Sequence, residues 1–290
     1  MKNSAFLLLA LLCLISCDVF NKDEQAVTFV RVSDFPLTTE PAEEGSASEN
    51  IKDVWLSVNG ELIGGFEMPV DIPVIAEGPA NIKAFAGILD NGISTIRERY
   101  PFYEIYDVNV DLIDEQVIEI FPTTTYIQDA LQFTIEDFEE PGIKMIRSVT
   151  SDTTINPVGN PDLTDILRDE NVGQINLEGE KNHFKVESTF ELDLAFRAIV
   201  YMELDYRCGT PFVVGLKRSE PSASYISVAG FNPIFDSNGD PVWNKVYINL
   251  ADAIDDLQNG EEYEIFLEGN VPTGTDATFL FDNIKVIHTN

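Results

Sequence analysis

The chain is written almost entirely in short strand-like runs, and that pattern restricts it to β architectures. Val27–Val32, Val54–Val58, Asn81–Ala86, Tyr106–Leu112 and Val117–Phe121 are rich in β-branched and aromatic residues and are separated by turn formers. Asn59-Gly60 stands between Trp55–Val58 and Glu61–Ile63, a setting that predicts a tight hairpin because both turn positions need φ > 0. A second series follows at Phe184–Ser188, Phe190–Phe196, Ile199–Tyr206, Phe212–Leu216, Lys245–Leu250, Tyr263–Glu268 and Thr278–Ile287. Helical period is thin. Leu250, Ile254 and Leu257, closed by Gly260, and the short Leu163–Leu167 piece predict at most one or two turns each. With 290 residues, 44% of them hydrophobic, the chain can bury one large core or two medium ones. Phe121-Pro122-Thr123-Thr124-Thr125 interrupts the strand pattern and predicts a boundary. The expectation is therefore all-β, with two β-sandwich domains at residues 26–121 and 127–290. Pro36–Asn50 (PLTTEPAEEGSASEN) is expected to be a long mobile loop.

The N-terminus reads MKNSAFLLLALLCLISC. One lysine precedes an apolar run that is too short for a stable span, which needs about 20 residues. A small residue closes the run, as in a secretory signal. Leu14-Ile15-Ser16-Cys17 resembles the lipobox of bacterial lipoproteins. The resemblance implies a signal peptide at residues 1–16, a lipidated Cys17, and a polar tether at residues 17–25. Fully extended, that tether reaches roughly 25–30 Å at about 3.3–3.6 Å per residue. Lys22-Asp23-Glu24 resembles the acidic export signal of Bacteroidota surface lipoproteins. It implies an outer-membrane protein facing the cell exterior; a periplasm-facing lipoprotein is the alternative.

Charge excludes whole classes of partner. The net charge is −32. Such a surface repels phosphate backbones and anionic headgroups, so nucleic acid is excluded and membrane contact is expected through the lipid anchor only. It favours cations, divalent ones included. Of three cysteines, only Cys208 lies beyond Cys17, so no intramolecular disulfide is expected in the processed chain.

Ile135-Glu136-Asp137-Phe138-Glu139 opens the second series and Phe281-Asp282-Asn283-Ile284-Lys285-Val286 closes it. With Glu178–Val186 between them, these segments resemble the jelly-roll carbohydrate-binding modules of families 4 and 22. The resemblance, over about Thr134 to Ile287, implies a jelly roll for the second domain; the strand pattern of the first leads to the expectation of an immunoglobulin-like or related sandwich acting as a spacer. The resemblance also implies a structural calcium ion held by the carboxylates of Glu139, Glu178 and Asp282 and the backbone carbonyls of Asp137 and Lys181. Calcium takes 6–8 oxygen ligands of these kinds.

Other chemistry is sparse. Two histidines, His183 and His288, offer no zinc-ligand spacing. No nucleophile elbow, Walker loop or dinucleotide fingerprint is present, and no catalysis is expected. Asp236-Ser237-Asn238-Gly239-Asp240 mimics the start of an EF-hand loop, but Pro241 stands where glycine is required, and a hairpin turn is expected. In Tyr201–Arg207 strand alternation sends Met202, Leu204 and Tyr206 inward and Tyr201, Glu203, Asp205 and Arg207 outward. Tyr247 and Phe266 fall on the outward phase of their own strands. The face of Tyr201, Glu203, Asp205, Arg207 and Tyr247 is the candidate ligand surface. A glycan or an outer-membrane protein, in an adapter role, is its expected partner.

Overall fold

The computed structural model describes residues 27–128, 131–162, 170–192, 199–218, 224–254 and 262–289. Cys17, the signal segment and the tether lie outside these residues, as do Leu163–Leu167, Leu257 and Gly260.

The N-terminal half holds β1 (Thr28–Val32), β2 (Asp53–Val58), β3 (Glu61–Glu67), β4 (Val70–Val74), β5 (Gly78–Leu89), β6 (Arg97–Arg99), β7 (Tyr106–Leu112) and β8 (Val117–Ile120). They form a sheet ordered β4-β1-β8 and a second ordered β3-β2-β5-β6, in which β7 also pairs with β5. The hairpin turn is where the sequence places it, with Asn59 at φ 51° and Gly60 at φ 84°. In β1, Thr28, Val30 and Val32 face in while Phe29 and Arg31 face out. Val30, Val32 and Ile72 of one sheet meet Val54, Leu56 and Ile82 of the other in one core.

The C-terminal half is a jelly-roll sandwich. Its strands are β9 (Leu131–Glu136), β10 (Met145–Arg147), β11 (Asn156–Gly159), β12 (Asn171–Leu177), β13 (His183–Ser188), β14 (Val200–Cys208), β15 (Phe212–Arg218), β16 (Ser224–Phe231), β17 (Asn244–Asn249), β18 (Tyr263–Asn270) and β19 (Ala277–Thr289). One sheet runs β10-β13-β18-β15-β16; the other runs β11-β12-β19-β14-β17, with β9 added to β19. Phe184, Val186, Val214, Leu216 and Ile265 interleave with Ile175, Met202, Leu204, Phe279 and Phe281 to fill the core. Beyond the strands, the described residues hold one turn of helix, α1 (Pro41–Glu44), and a 3-10 turn at Ala251–Ala253.

A bulge explains the Asp282-Asn283 pair. Glu203 faces Lys285 and Asp205 faces Asp282, so β19 carries one extra residue there. Asn283, at φ 48°, is that residue. The extra residue moves the inward phase from Phe279 and Phe281 to Ile284 and Val286, all of which lie in the core.

Each half has its own core, and the two halves meet across an interface. Tyr201, Tyr247 and Ile287, on the outer side of the six-stranded sheet, belong to the N-terminal core. Pro36–Asn50, expected to be mobile, is packed into this junction. Ser48 and Glu44 are buried, and Lys285 Nζ donates to the Ser46 carbonyl at 2.6 Å.

Candidate functional site

The expected ligand face is a buried junction. The phase was read correctly, since Met202, Leu204 and Tyr206 do face the sandwich core. What the phase could not tell is what covers the other side. Tyr201 is 5% exposed, Tyr247 1%, and Glu203 and Asp205 are fully buried, so a ligand cannot reach them. The N-terminal half supplies the cover: the Tyr100 ring lies 5.2 Å from Tyr201 and 4.8 Å from Tyr247, and Tyr103 Oη is 3.1 Å from Tyr247 Oη. Arg207 alone stays part-exposed, lining a separate cavity of about 430 Å³ with Asp162, Asp236, Asp240 and Trp243. Beside it, Asp236 Oδ1 accepts the backbone N–H groups of Asn238 and Asp240, so this loop closes on itself as a turn.

Glu203 is the centre of that junction. Lys245 Nζ lies 2.7 Å from its carboxylate, and the pair is 1% and 0% exposed. Tyr100 donates to Glu203 Oε1 at 2.8 Å, and Tyr126 donates at 2.9 Å. Burial pulls the Glu203 carboxyl upward, but Lys245, Lys285 and the Tyr100 hydroxyl outweigh it and hold the group below the ordinary carboxylate range. Burial, with Lys245 nearby, pushes Lys285 down to about 8.

The calcium ligands are not assembled. Glu139 is exposed, and its carboxylate takes the backbone N–H and side-chain amide of Asn171, at the start of β12. Glu178 follows the end of that strand, roughly 20 Å away at about 3.3 Å per residue. Glu178 and Lys181 are exposed in the turn before β13. Asp282 is buried, bonded to its neighbour's backbone N–H at 2.8 Å, and Asp137 is half-buried beside Glu139. These five residues do not fit one calcium shell. Among the described residues, no group of three or more His, Cys, Asp or Glu is placed to hold a metal ion.

The open face belongs to the other sheet. On the solvent side of β13, β15, β16 and β18, Lys185 Nζ sits 3.9 Å from the Tyr225 ring centroid and 5.0 Å from that of Phe266. Glu268 holds Lys185 at 3.0 Å and the His183 ring at 2.8 Å. Lys217 bridges Glu187 and Glu264, each at 2.9 Å. Tyr225 donates to Glu187 at 2.7 Å and its ring meets Phe266 edge-on at 5.4 Å. Burial raises Glu187, but the hydroxyls of Ser148 and Tyr225 and the Lys217 ammonium bring it below its usual range. Burial lowers Lys217, yet its two carboxylates hold it well above its usual value.

Gly215 makes the floor possible. It pairs with Phe266 across the ladder, and a Cβ there would lie 2.4 Å from the ring. The ring can therefore lie across β15. Tyr225, 47% exposed, stands above this floor. Sequence reasoning placed Phe266 outward but missed its companions. The signal was there: His183, Lys185 and Glu187 alternate with core residues, as do Glu264, Phe266 and Glu268.

No known family model matches the chain, and no curated protein matches it. Solved structures similar to it are carbohydrate-binding modules. The family 11 module of a cellulosomal cellulase from Clostridium thermocellum is 11% identical with a TM-score of 0.33, covering 55% of this chain and 95% of its own. A family 28 module specific for non-crystalline cellulose is 14% identical with a TM-score of 0.35, covering 51% of this chain and 91% of its own. A structure described under promiscuous specificity in β-sandwich carbohydrate-binding modules is 8% identical with a TM-score of 0.38, over 91% of this chain and 98% of its own. With scores below 0.5, nothing about this chain's ligand follows from these likenesses.

Proposed function

We propose that this chain is a non-catalytic, lipid-anchored cell-surface protein that binds a glycan on the solvent side of its five-stranded sheet. The observation that carries the reading is the half-exposed Tyr225 ring above a floor of ion-paired Lys185, Lys217, Glu187 and Glu268. A ring face stacks on the C–H side of a pyranose, and the paired side chains beneath offer directed donors and acceptors to its hydroxyls. The floor groups already hold one another in place, so little side-chain ordering is left to oppose binding. An adapter would instead present a flat apolar patch, and this face is charged.

The test is a glycan array probed with the full chain in detergent. Binding at about 10⁻³–10⁻⁵ M, about −4 to −7 kcal/mol, is expected. Tyr225→Ala should weaken it at least tenfold with little change in melting temperature. An array without binding, together with recovery of an outer-membrane protein on the wild-type chain, replaces this reading with the adapter. The anchor rests on Cys17. An intact mass that does not begin at a modified Cys17, or a Cys17→Ser protein processed and retained like wild type, refutes it.

A further inference from the structure

A cleft of about 560 Å³ opens where the two halves meet, on the rim of the buried junction and apart from the Tyr225 face. Its size falls within the range of small-molecule sites, and junctions between folding units are where such sites concentrate. Its chemistry departs from the rest of the molecule. The chain has 50 acidic residues among 290, yet no Asp or Glu lines this cleft. Four asparagines do: Asn50, Asn91, Asn232 and Asn244.

These amides are held by rigid parts of both halves. Asn50 Nδ2 donates to the Lys245 carbonyl at 2.7 Å and to Asn244 Oδ1 at 3.3 Å. Asn244 Nδ2 donates to Tyr206 Oη at 3.2 Å, and that hydroxyl donates to the Asn232 carbonyl at 2.9 Å. Asn91, at φ 54°, accepts the Asn249 N–H on its Oδ1 at 3.0 Å, which leaves its Nδ2 for a guest. Among the described residues the Asn232 side chain makes no hydrogen bond, and it is exposed. Ile93 and Ile234, 44% and 43% exposed, supply apolar lips. Lys245, in the floor, is neutralised by Glu203 at 2.7 Å.

We infer that this inter-half cleft is a second binding site, for a neutral mono- or disaccharide. An amide side chain offers a donor and an acceptor side by side, which matches a hydroxyl that is both. The isoleucine lips match the apolar face of a pyranose. Lys52 also lines the cleft but stands exposed to water at its edge, so with Lys245 paired the floor carries no unpaired charge, and a neutral guest loses less solvation there than an ion would. The site needs both halves, because Asn50 and Asn91 come from one and Asn232 and Asn244 from the other.

The test is saturation-transfer NMR and titration calorimetry on the full chain in detergent. The probes are glucose, galactose, N-acetylglucosamine, cellobiose and lactose. At least one should bind the wild type. Asn232→Trp, which fills the opening from a side chain with no bond to lose, should weaken it at least tenfold, and Asn232→Ala should weaken it less. Tyr225→Ala should leave this binding unchanged, so the site stands or falls separately from the Tyr225 face. The inference is overturned if none of the five sugars binds, if Asn232→Trp binds as wild type does, or if Tyr225→Ala abolishes the signal. A cleft that takes triglycine and no sugar overturns it as well.

Discussion

Replacing Lys245 by methionine should be among the most damaging single changes in this protein. The substitution keeps the length of the side chain and removes the ammonium that lies 2.7 Å from a fully buried carboxylate. Glu203 would keep its bonds from Tyr100 and Tyr126 but lose its closest cation. Removing one partner of a buried pair costs about 3–5 kcal/mol, because the remaining charge stays desolvated. At about 2–4 °C per kcal/mol for a chain near this size, the melting temperature should fall by roughly 6–20 °C. Urea unfolding of wild type, Lys245→Met, Glu203→Leu and the double variant closes the cycle. The double variant should recover at least about 2 kcal/mol of the summed single losses, since contacting charges are coupled. It should not return to wild type, because the two tyrosine hydroxyls then lose their acceptor. Acid supplies an independent check. Glu203 is held below its usual range, so its contribution is present above the unfolded value near about 4.3 and disappears as pH falls through the folded one. The gap between wild type and Lys245→Met should therefore close below about pH 4. A Lys245→Met protein within about 1 kcal/mol of wild type at neutral pH, or an additive cycle, refutes the reasoning.

Lys285 should show the opposite pH sense. Its folded value is about 8 and its unfolded value about 10.4, so the buried charge opposes folding below pH 8. That opposition, about 3 kcal/mol, is relieved as pH rises from about 8 towards 10. Cys208, pushed by burial up to about 11, loses stability over the upper part of the same window, so the comparison must be with Lys285→Met, which should lack the rise; identical pH profiles of the two proteins refute it. Gly215→Val should destabilise by about 1–3 kcal/mol and weaken glycan capture together, because the new Cβ would meet the Ile226 carbonyl at 2.3 Å and the Phe266 ring at 2.4 Å. Unchanged unfolding and binding curves would show that the floor can shift to admit it.

Much of the architecture was legible because it rests on period and turn chemistry. The Asn59-Gly60 turn and the inward set of Met202, Leu204 and Tyr206 follow from rules with few competitors. Strands such as β12 (NVGQINL) and β16 (SYISVAGF) were missed because glycines and polar residues dilute their signal. The burial of the outer face was missed for a different reason. Alternation tells which residues share a side, and only the assembled chain tells whether that side meets water. A warning was present in the sequence. In Val200–Cys208 and Ala277–Thr289 large apolar residues occur on both phases, as at Met202 with Tyr201 and Val286 with Ile287, which is how a strand covered on both sides reads. Asp282-Asn283 also carried a signal that alternation does not read, since Asn283 is the extra residue of a bulge in β19.

The junction also bears on how the open face is presented. A sandwich has two outer faces, and here one is consumed by tyrosines, a buried ion pair and the Pro36–Asn50 segment. Apolar packing alone would tolerate sliding between the halves. A carboxylate that must meet Lys245, Tyr100 and Tyr126 at once tolerates much less, because any slip leaves charge unpaired in a dry interface. The Tyr225 face is then held at a fixed attitude to β1, where the chain departs towards Cys17, and the cleft at the junction keeps a fixed width. Loosening the junction with Tyr100→Ala, at a residue of the junction that does not line the cleft, should therefore weaken sugar binding in the cleft more than binding at the Tyr225 face, which is built within one sheet. Equal losses at both sites would mean that the junction supports overall stability and does not shape the cleft.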